Sequence, residues 1–157
     1  MALRDTLTGD QRTYIEKVGF FYEAYGLPRT VGRILGLLLI AEPQEQSLDE
    51  ITDALSVAKS SVSTGARFLT QAGLIERAAV AGDRKSYYRM RPGAWAKALR
   101  DRLASNDAYQ RLAEEGLKVI SEDNEQARRN LREMAELYEY FGRESAAAID
   151  RWEARQD

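Results

Sequence analysis

Apolar residues recur at three- and four-residue intervals along most of this chain, the spacing that places side chains on one face of a helix. The pattern predicts a first helix over residues 8–25, which starts with a capping box and ends at Gly26, and a second over residues 28–41. Gly32 and Gly36 fall on one face of the second helix. Because a glycine weakens a helix by up to ~1 kcal/mol relative to alanine, we expect another helix to approach closely there.

The middle of the chain predicts two shorter helices joined by a tight turn. Residues 42–46 have the composition of a loop, and Ser47-Leu-Asp-Glu50 is a second capping box that begins a helix to about Leu55. A turn over residues 56–58 leads into a helix that Gly73 ends in a left-handed cap. Two helices in this arrangement form a candidate helix-turn-helix.

After Gly73 the hydrophobic period changes from helical to strand-like. Residues 74–80 and 86–90 are short candidate strands, and residues 81–85 between them contain a glycine and two cations. A basic hairpin directly after a helix-turn-helix predicts a wing.

The last third of the chain returns to the helical period. One helix is expected from Pro92 to about Ile120, with a candidate break at Ser105-Asn106, and Ser121 is expected to cap a final long helix. That final helix keeps an alternating spacing of three and four, typical of a seam for another helix. The seam either builds a homodimer interface or packs against a helix of the same chain. Its members are Leu131, Met134, Tyr138, Phe141, Ser145, Ala148 and Trp152.

Composition narrows the function classes. The 157 residues are 44% hydrophobic and 31% charged, with neither cysteine nor histidine. Thiol chemistry, histidine general bases and the usual zinc ligands are therefore missing, and the remaining carboxylates, lysines and tyrosines show no recognisable catalytic spacing. We expect no enzymatic activity, no cofactor and no metal site. The apolar run 34–41 is too short to span a bilayer and the N-terminus does not resemble a signal peptide, so a cytoplasmic location is expected.

Charge and side-chain type point to DNA. The net charge is −2, yet residues 57–91 hold seven cations against Glu76 and Asp83, a net +5 that leaves −7 for the rest. The polar side of the helix before Gly73 carries short donors and acceptors that can enter a major groove. The alternative for this helix alone is a solvated surface. Its polar side consists of Lys59, Ser60, Ser61, Ser63, Thr64 and Arg67.

Together these segments resemble the MarR-type winged-helix transcription regulators, and among them the GbsR-like branch. The resemblance rests on residues 26–36 (GLPRTVGRILG), 47–51 (SLDEI), 59–75 and 82–88 (GDRKSYY), in this order and spacing. One departure is Ala58, which stands where the family often has a serine N-cap and so weakens the helix by ~1 kcal/mol.

The resemblance implies a mainly α fold with a small β-hairpin wing, divided into an N-terminal helix (1–26), a winged helix-turn-helix domain (27–91) and a C-terminal helical arm (92–157). It implies a homodimeric regulator, taken here to be a repressor, on double-stranded DNA with a pseudo-palindromic operator. The alternative is a protein-interaction module that binds another protein through the C-terminal seam. The expected DNA contacts are Lys59, Ser60, Ser61 and Arg67, supported by Ser63 and Thr64, with Arg84 and Lys85 in the wing and Arg29 and Thr30 at a helix N-terminus. The expected dimer contacts are Ile15, Val18, Leu131, Met134, Tyr138, Phe141 and Trp152.

The resemblance also implies a small-molecule effector, of the choline type in the GbsR-like branch. Aromatic faces bind quaternary ammonium groups, and Phe21, Tyr25 and Trp95 are the candidate pocket residues. The alternative is that these rings are ordinary core and dimer packing.

Overall fold

The computed structural model describes residues 3–156, which form helices and three short strands, and confirms the predicted mainly α fold with a small hairpin wing. Contacts divide the chain into two compact units, the first ending at Ala94 and the second beginning at Trp95. No helix within residues 3–156 is both long enough and apolar enough to cross a membrane. The elements are α1 (Leu3–Thr6), α2 (Gly9–Ala24), α3 (Arg29–Ile40), β1 (Gln46–Ser47), α4 (Leu48–Leu55), α5 (Lys59–Gln71), β2 (Ile75–Ala78), β3 (Tyr87–Met90), α6 (Ala94–Val119) and α7 (Glu125–Glu153).

Both predicted capping boxes are present. The Gln11 amide donates to Thr8 Oγ1 at 3.2 Å while the Thr8 amide donates to the Gln11 side chain at 2.8 Å. Ser47 and Glu50 exchange the same pair of bonds at 3.2 and 2.7 Å. Each box satisfies two backbone donors that a helix leaves unpaired, and so fixes the first residue of α2 and of α4.

The end of α5 follows from Gly73. This residue has a φ of 74°, and its amide donates to the Thr70 carbonyl at 3.0 Å. The Leu74 amide donates to the Leu69 carbonyl at 3.0 Å, which completes a Schellman motif. The cap turns the chain directly into β2. At the other end of α5, Ala58 supplies no side-chain cap.

The core of the first unit surrounds α3. Ile34, Leu35, Leu37 and Leu38 are fully buried, so both sides of this helix are covered. Ile51 of α4 and Val62 and Leu69 of α5 are equally buried. The predicted close approach at Gly32 and Gly36 is confirmed, because both glycines face the backbone and side chains of α2.

The wing is part of a three-stranded antiparallel sheet with strand order β1-β3-β2. Ile75 lies opposite Met90 and Ala78 opposite Tyr87, which confirms the predicted hairpin with shorter strands. The sequence predicts that Gln46 belongs to a loop, but in the structure it is the first residue of strand β1. Its two residues pair with Tyr87 and Tyr88, and a strand this short carries no periodic signal.

In the second unit, α6 runs without a break through Ser105-Asn106. The prediction that Ser121 caps the last helix is wrong. The α7 cap is Asn124, whose side chain accepts from the Ala127 amide at 3.1 Å, while Ser121 accepts from Asp123 in the preceding turn.

Candidate nucleic-acid interface

Helix α5 has one buried side and one polar side. Val62, Ala66 and Leu69 are completely buried against the first unit's core. The buried stripe fixes the rotation of α5 about its axis, and the polar residues predicted for DNA contact then face outward. Of these, Lys59, Ser60, Ser61, Thr64 and Arg67 are exposed and Ser63 is half-buried.

A crevice of about 290 Å³ lies between the N-terminal end of α3 and the polar side of α5. Thr30 contributes from α3, and Ser60, Ser61 and Thr64 contribute from α5. The two helices approach closely because Gly65 has no side chain, and a Cβ there would lie 2.6 Å from Ile34 Cδ1. The crevice thus brings four hydroxyl-bearing residues to the N-terminal end of α3, and hydroxyl groups and helix N-termini are both common contacts for phosphate.

Arg29 differs from its neighbour Thr30. Its Nη2 lies 2.5 Å from Glu16 Oε2, and its guanidinium carbon lies 3.8 Å from the centre of the Phe20 ring. Glu16 also binds Arg33 Nε at 2.8 Å. The sequence suggested Arg29 as a phosphate ligand, but in this structure its charge is engaged by α2, so a phosphate would have to compete with Glu16.

The wing tip is held by Asp83. Its carboxylate accepts from the Lys85 amide at 2.9 Å and from the Tyr87 hydroxyl at 2.7 Å. The hydrogen bond from Tyr87 lowers the pKa of Asp83, and the same bond raises the pKa of Tyr87 to about 12. Arg84 and Lys85 are exposed on this ordered turn.

Two of the seven cations in residues 57–91 have carboxylate partners. Lys59 Nζ lies 2.6 Å from Asp49 Oδ1, and Arg89 binds Glu76 at 2.9 Å and Glu45 at 3.3 Å. The hydrogen bond that Arg89 donates to Glu76, followed by the one that it donates to Glu45, raises the pKa of Arg89. Within residues 3–156 the other five form no ion pair and remain available to an external anion: Arg67, Arg77, Arg84, Lys85 and Arg91.

Comparison with known proteins assigns this chain to a family. The MarR family model matches residues 25–86, and the model for MmpR5-like MarR family transcriptional regulators matches residues 93–155. The HTH-type transcriptional regulator MmpR5 of Mycobacterium tuberculosis is 40% identical over 146 residues, which is 93% of this chain and 88% of that protein. This chain belongs to the MarR family of transcriptional regulators.

Two further relatives agree with this assignment. A crystal structure of a transcriptional regulator is 39% identical, has a TM-score of 0.76 and matches 92% of this chain and 99% of its own. The HTH-type transcriptional repressor OpcR of Bacillus subtilis is 29% identical over 84 residues, 54% of this chain and 45% of that protein. As a MarR-family member the chain is a DNA-binding transcription regulator.

The α2 residues predicted for the dimer interface of this MarR-family regulator face the chain's own core. Ile15 is 3% exposed and Val18 is half-buried. Both lie on the side of α2 that packs on α3, since a Cβ at Gly36 would lie 3.0 Å from Val18 Cβ and 3.3 Å from Ile15 Cα. Within one chain these two residues pack between α2 and α3, and their part in a dimer stays a prediction.

The α7 seam divides into two neighbouring stripes. Leu131 and Tyr138 face α6 within the same chain: Leu131 contacts Gly116, and the Tyr138 ring stacks on Tyr109 with 4.3 Å between centres. These two residues form an intrachain hairpin contact rather than a free interface. The adjacent stripe, which we call the outer stripe, is mostly exposed. It comprises three seam residues, of which Met134 is half-buried and Phe141 and Trp152 are exposed, together with the exposed Leu137, which the predicted seam does not include.

Of the three residues predicted to bind an effector, two lie in the first unit and one lies in the second. Phe21 lies on α2 and Tyr25 is the C-cap residue that follows it; their ring centres are 4.9 Å apart, and both rings are exposed. Trp95 opens the second unit and is also exposed. Exposed aromatic faces leave room for a cation, and the pocket itself stays a prediction.

Proposed function

We propose that this MarR-family regulator acts as a homodimer on a pseudo-palindromic operator, with each protomer inserting α5 into one major groove. The observation that supports this most directly is the exposed polar side of α5, together with exposed wing cations that form no ion pair with any residue the structure describes. Two protomers would contact half-sites about one helical turn, roughly 34 Å, apart.

The α5 residues divide by chemistry. Arg67 is long and exposed and forms no ion pair within residues 3–156, so it suits a guanine edge, which arginine recognises through two hydrogen bonds. Ser60 and Ser61 at the crevice suit bases or nearby phosphates together with Lys59, while Ser63 and Thr64 support them. Arg84 and Lys85 hold phosphate or enter the minor groove, and Thr30 contributes a hydroxyl at the α3 N-terminus.

For assembly, we propose that the outer stripe of α7 pairs with a second copy of the chain. Leu137 is 59%, Phe141 55% and Trp152 56% exposed, an unusual density of large apolar side chains for a solvent-facing helix. Burying them in a dimer would remove this apolar surface from water.

We propose that the protein is a repressor located in the cytoplasm. A small cationic effector of the choline type, bound by the aromatic residues Phe21, Tyr25 and Trp95, would relieve the repression. The family match is to the MmpR5-like group. Membership of the GbsR-like branch is therefore part of this proposal, because the choline-type effector depends on that resemblance. An effector changes DNA affinity only if it binds the two conformations with different affinities, so ligand binding and operator release have to be measured separately.

Selection of genomic DNA by the purified protein, followed by footprinting, tests the function. We expect a footprint with two related half-sites. Replacing both Arg84 and Lys85 with alanine should weaken binding to all sequences alike and flatten the salt dependence by about two units per protomer.

Arg67→Ala serves as the contrasting variant. A base-contacting arginine should cost about 1–3 kcal/mol and relax the preference at one position per half-site. If neither the wing double variant nor Arg67→Ala changes affinity or salt dependence in a mobility-shift assay, the proposed DNA face is wrong, and the protein-interaction alternative gains support.

A further inference from the structure

The first residue of α5 is held by an acid from the preceding helix. Lys59 Nζ lies 2.6 Å from Asp49 Oδ1, and the side chains of Lys59 and Asp49 are 60% and 58% exposed. Asp49 follows Ser47, the N-cap of α4, by two positions. The carboxylate therefore lies on the exposed surface at the start of α5, where a phosphate would otherwise bind the lysine.

The same carboxylate also responds to the wing. The hydrogen bond from Lys59 and then its charge lower the pKa of Asp49, and the charge of Lys85 lowers it further to a smaller extent. Asp49 is thus ionised at neutral pH and lies within electrostatic reach of two cations that belong to different DNA-binding elements.

Fold stability accounts for only part of this arrangement. An acid in the first turn of α4 interacts favourably with the helix dipole, which explains a carboxylate at this position. It does not require a lysine partner, and an exposed ion pair contributes little to folding. The carboxylate lowers the affinity for DNA, because it neutralises one cation and places a negative charge near the phosphates.

We propose that Asp49 is a specificity-determining residue that restrains Lys59 from non-specific DNA and releases it only on the operator. Non-specific binding depends almost entirely on phosphate electrostatics, so masking a cation weakens it directly. On the operator, base contacts fix α5 in the groove and give Lys59 a close partner that replaces Asp49. Asp49 then increases the ratio of specific to non-specific affinity, because it weakens binding to non-specific DNA more than binding to the operator. This inference rests on the proposed function, in which α5 faces DNA.

The test is Asp49→Asn in the full-length protein, with two probes: a duplex of random sequence and the duplex recovered by genomic selection. We expect affinity for the random duplex to rise about two- to fivefold per protomer, the range of an exposed ion pair. Its salt dependence should steepen by roughly 0.9 unit per protomer as Lys59 becomes a phosphate ligand. Affinity for the selected duplex should rise less, so the specificity ratio falls.

The chain offers a matched control. Lys97 and Asp101 form another exposed lysine–aspartate pair at 2.5 Å, to which we assign no DNA contact. Asp101→Asn should leave both affinities unchanged. Thermal unfolding of Asp49→Asn shows whether loss of the helix-dipole interaction has altered the fold.

Lys59→Ala separates this inference from the function on which it rests. If Lys59→Ala weakens DNA binding but Asp49→Asn changes neither probe, or raises both equally, the specificity role is refuted and the DNA face stands. A selective loss of operator affinity in Asp49→Asn would also refute it, because Asp49 would then be a direct base contact. If Lys59→Ala has no effect on either probe, the placement of Lys59 on DNA fails as well. In the Lys59→Ala background, Asp49→Asn should lose most of its effect.

Discussion

The packing of α2 on α3 depends on the absence of a side chain at Gly32. A Cβ at this position would lie 2.6 Å from the Val18 carbonyl oxygen and 2.8 Å from Gly19 Cα. Both are backbone atoms of α2, so no rotamer change relieves the contact. Gly32→Ala must therefore separate the two helices locally.

Two opposing effects set the magnitude. Alanine favours the helix over glycine by up to ~1 kcal/mol, whereas overpacking a tight contact typically costs 1–3 kcal/mol, and contact with rigid backbone belongs in the upper part of that range. The expected net loss is about 1–2 kcal/mol. In a chain of this size that corresponds to a fall in Tm of roughly 2–8 °C.

Gly142→Ala is the matched comparison within a helix. Among the described residues, a Cβ there would meet the Asn106 side chain, with Nδ2 at 3.6 Å and Cβ at 3.9 Å; both are ordinary contacts, so the helix-propensity gain should remain. We expect this variant to be more stable than the wild type by about 0.5–1 kcal/mol.

Urea unfolding followed by circular dichroism at one fixed protein concentration measures both variants, since association would make stability concentration-dependent. The reasoning requires opposite signs for the two substitutions. If Gly32→Ala is as stable as Gly142→Ala, the α2–α3 contact can accept a methyl group without loss of stability. Close approach of the two helices would then not explain why residue 32 is glycine.

Three other predictions concern assembly, the α2–α3 ion pairs and the effector. Charging the outer stripe with Leu137→Glu and Phe141→Glu should dissociate the proposed dimer in sedimentation velocity, because the charges would be buried without partners. Tyr138→Ala should lower stability and leave the proposed dimer in place. A dimer that survives both charges would mean that α7 is not the interface. Glu16→Ala should destabilise the fold by about 1–3 kcal/mol in urea unfolding, since two arginines lose charged hydrogen bonds, and an unchanged midpoint would show that these bonds are replaced by water. Calorimetry with choline and glycine betaine should give binding heat that Trp95→Ala weakens by about 0.5–2 kcal/mol; no heat at millimolar ligand would exclude choline-type sensing while leaving DNA binding intact.

Features encoded by a few neighbouring residues could be predicted from the sequence. The capping boxes at Thr8 and Ser47 and the left-handed cap at Gly73 are formed by residues within five positions of each other. The wrong cap in the second unit has the same local origin. Ser121 and Asn124 are both good N-caps, and the choice depends on where the turn after α6 ends rather than on the cap residue itself.

Partners distant in the chain could not be predicted. The α7 spacing identifies apolar residues but not which of two neighbouring stripes faces α6, since Leu131 and Phe141 are equally regular members of the pattern. Only the stacking of Tyr138 on Tyr109 and the contact of Leu131 with Gly116 separate them. The engagement of Arg29 by Glu16 depends likewise on the packing of α2 on α3.

The same limitation changes how the basic segment should be understood. Counting charges within residues 57–91 overlooks Asp49 and Glu45, which lie outside the segment but bind Lys59 and Arg89. The cations of this segment that form no ion pair with the described part of the chain lie mainly in and around the hairpin, whereas α5 retains Arg67 among hydroxyl-bearing residues. Salt-dependent affinity should therefore arise chiefly from the wing and sequence preference from α5. This division explains why the two variants are expected to change different properties: the wing double variant changes the salt dependence of binding, and Arg67→Ala changes the base preference.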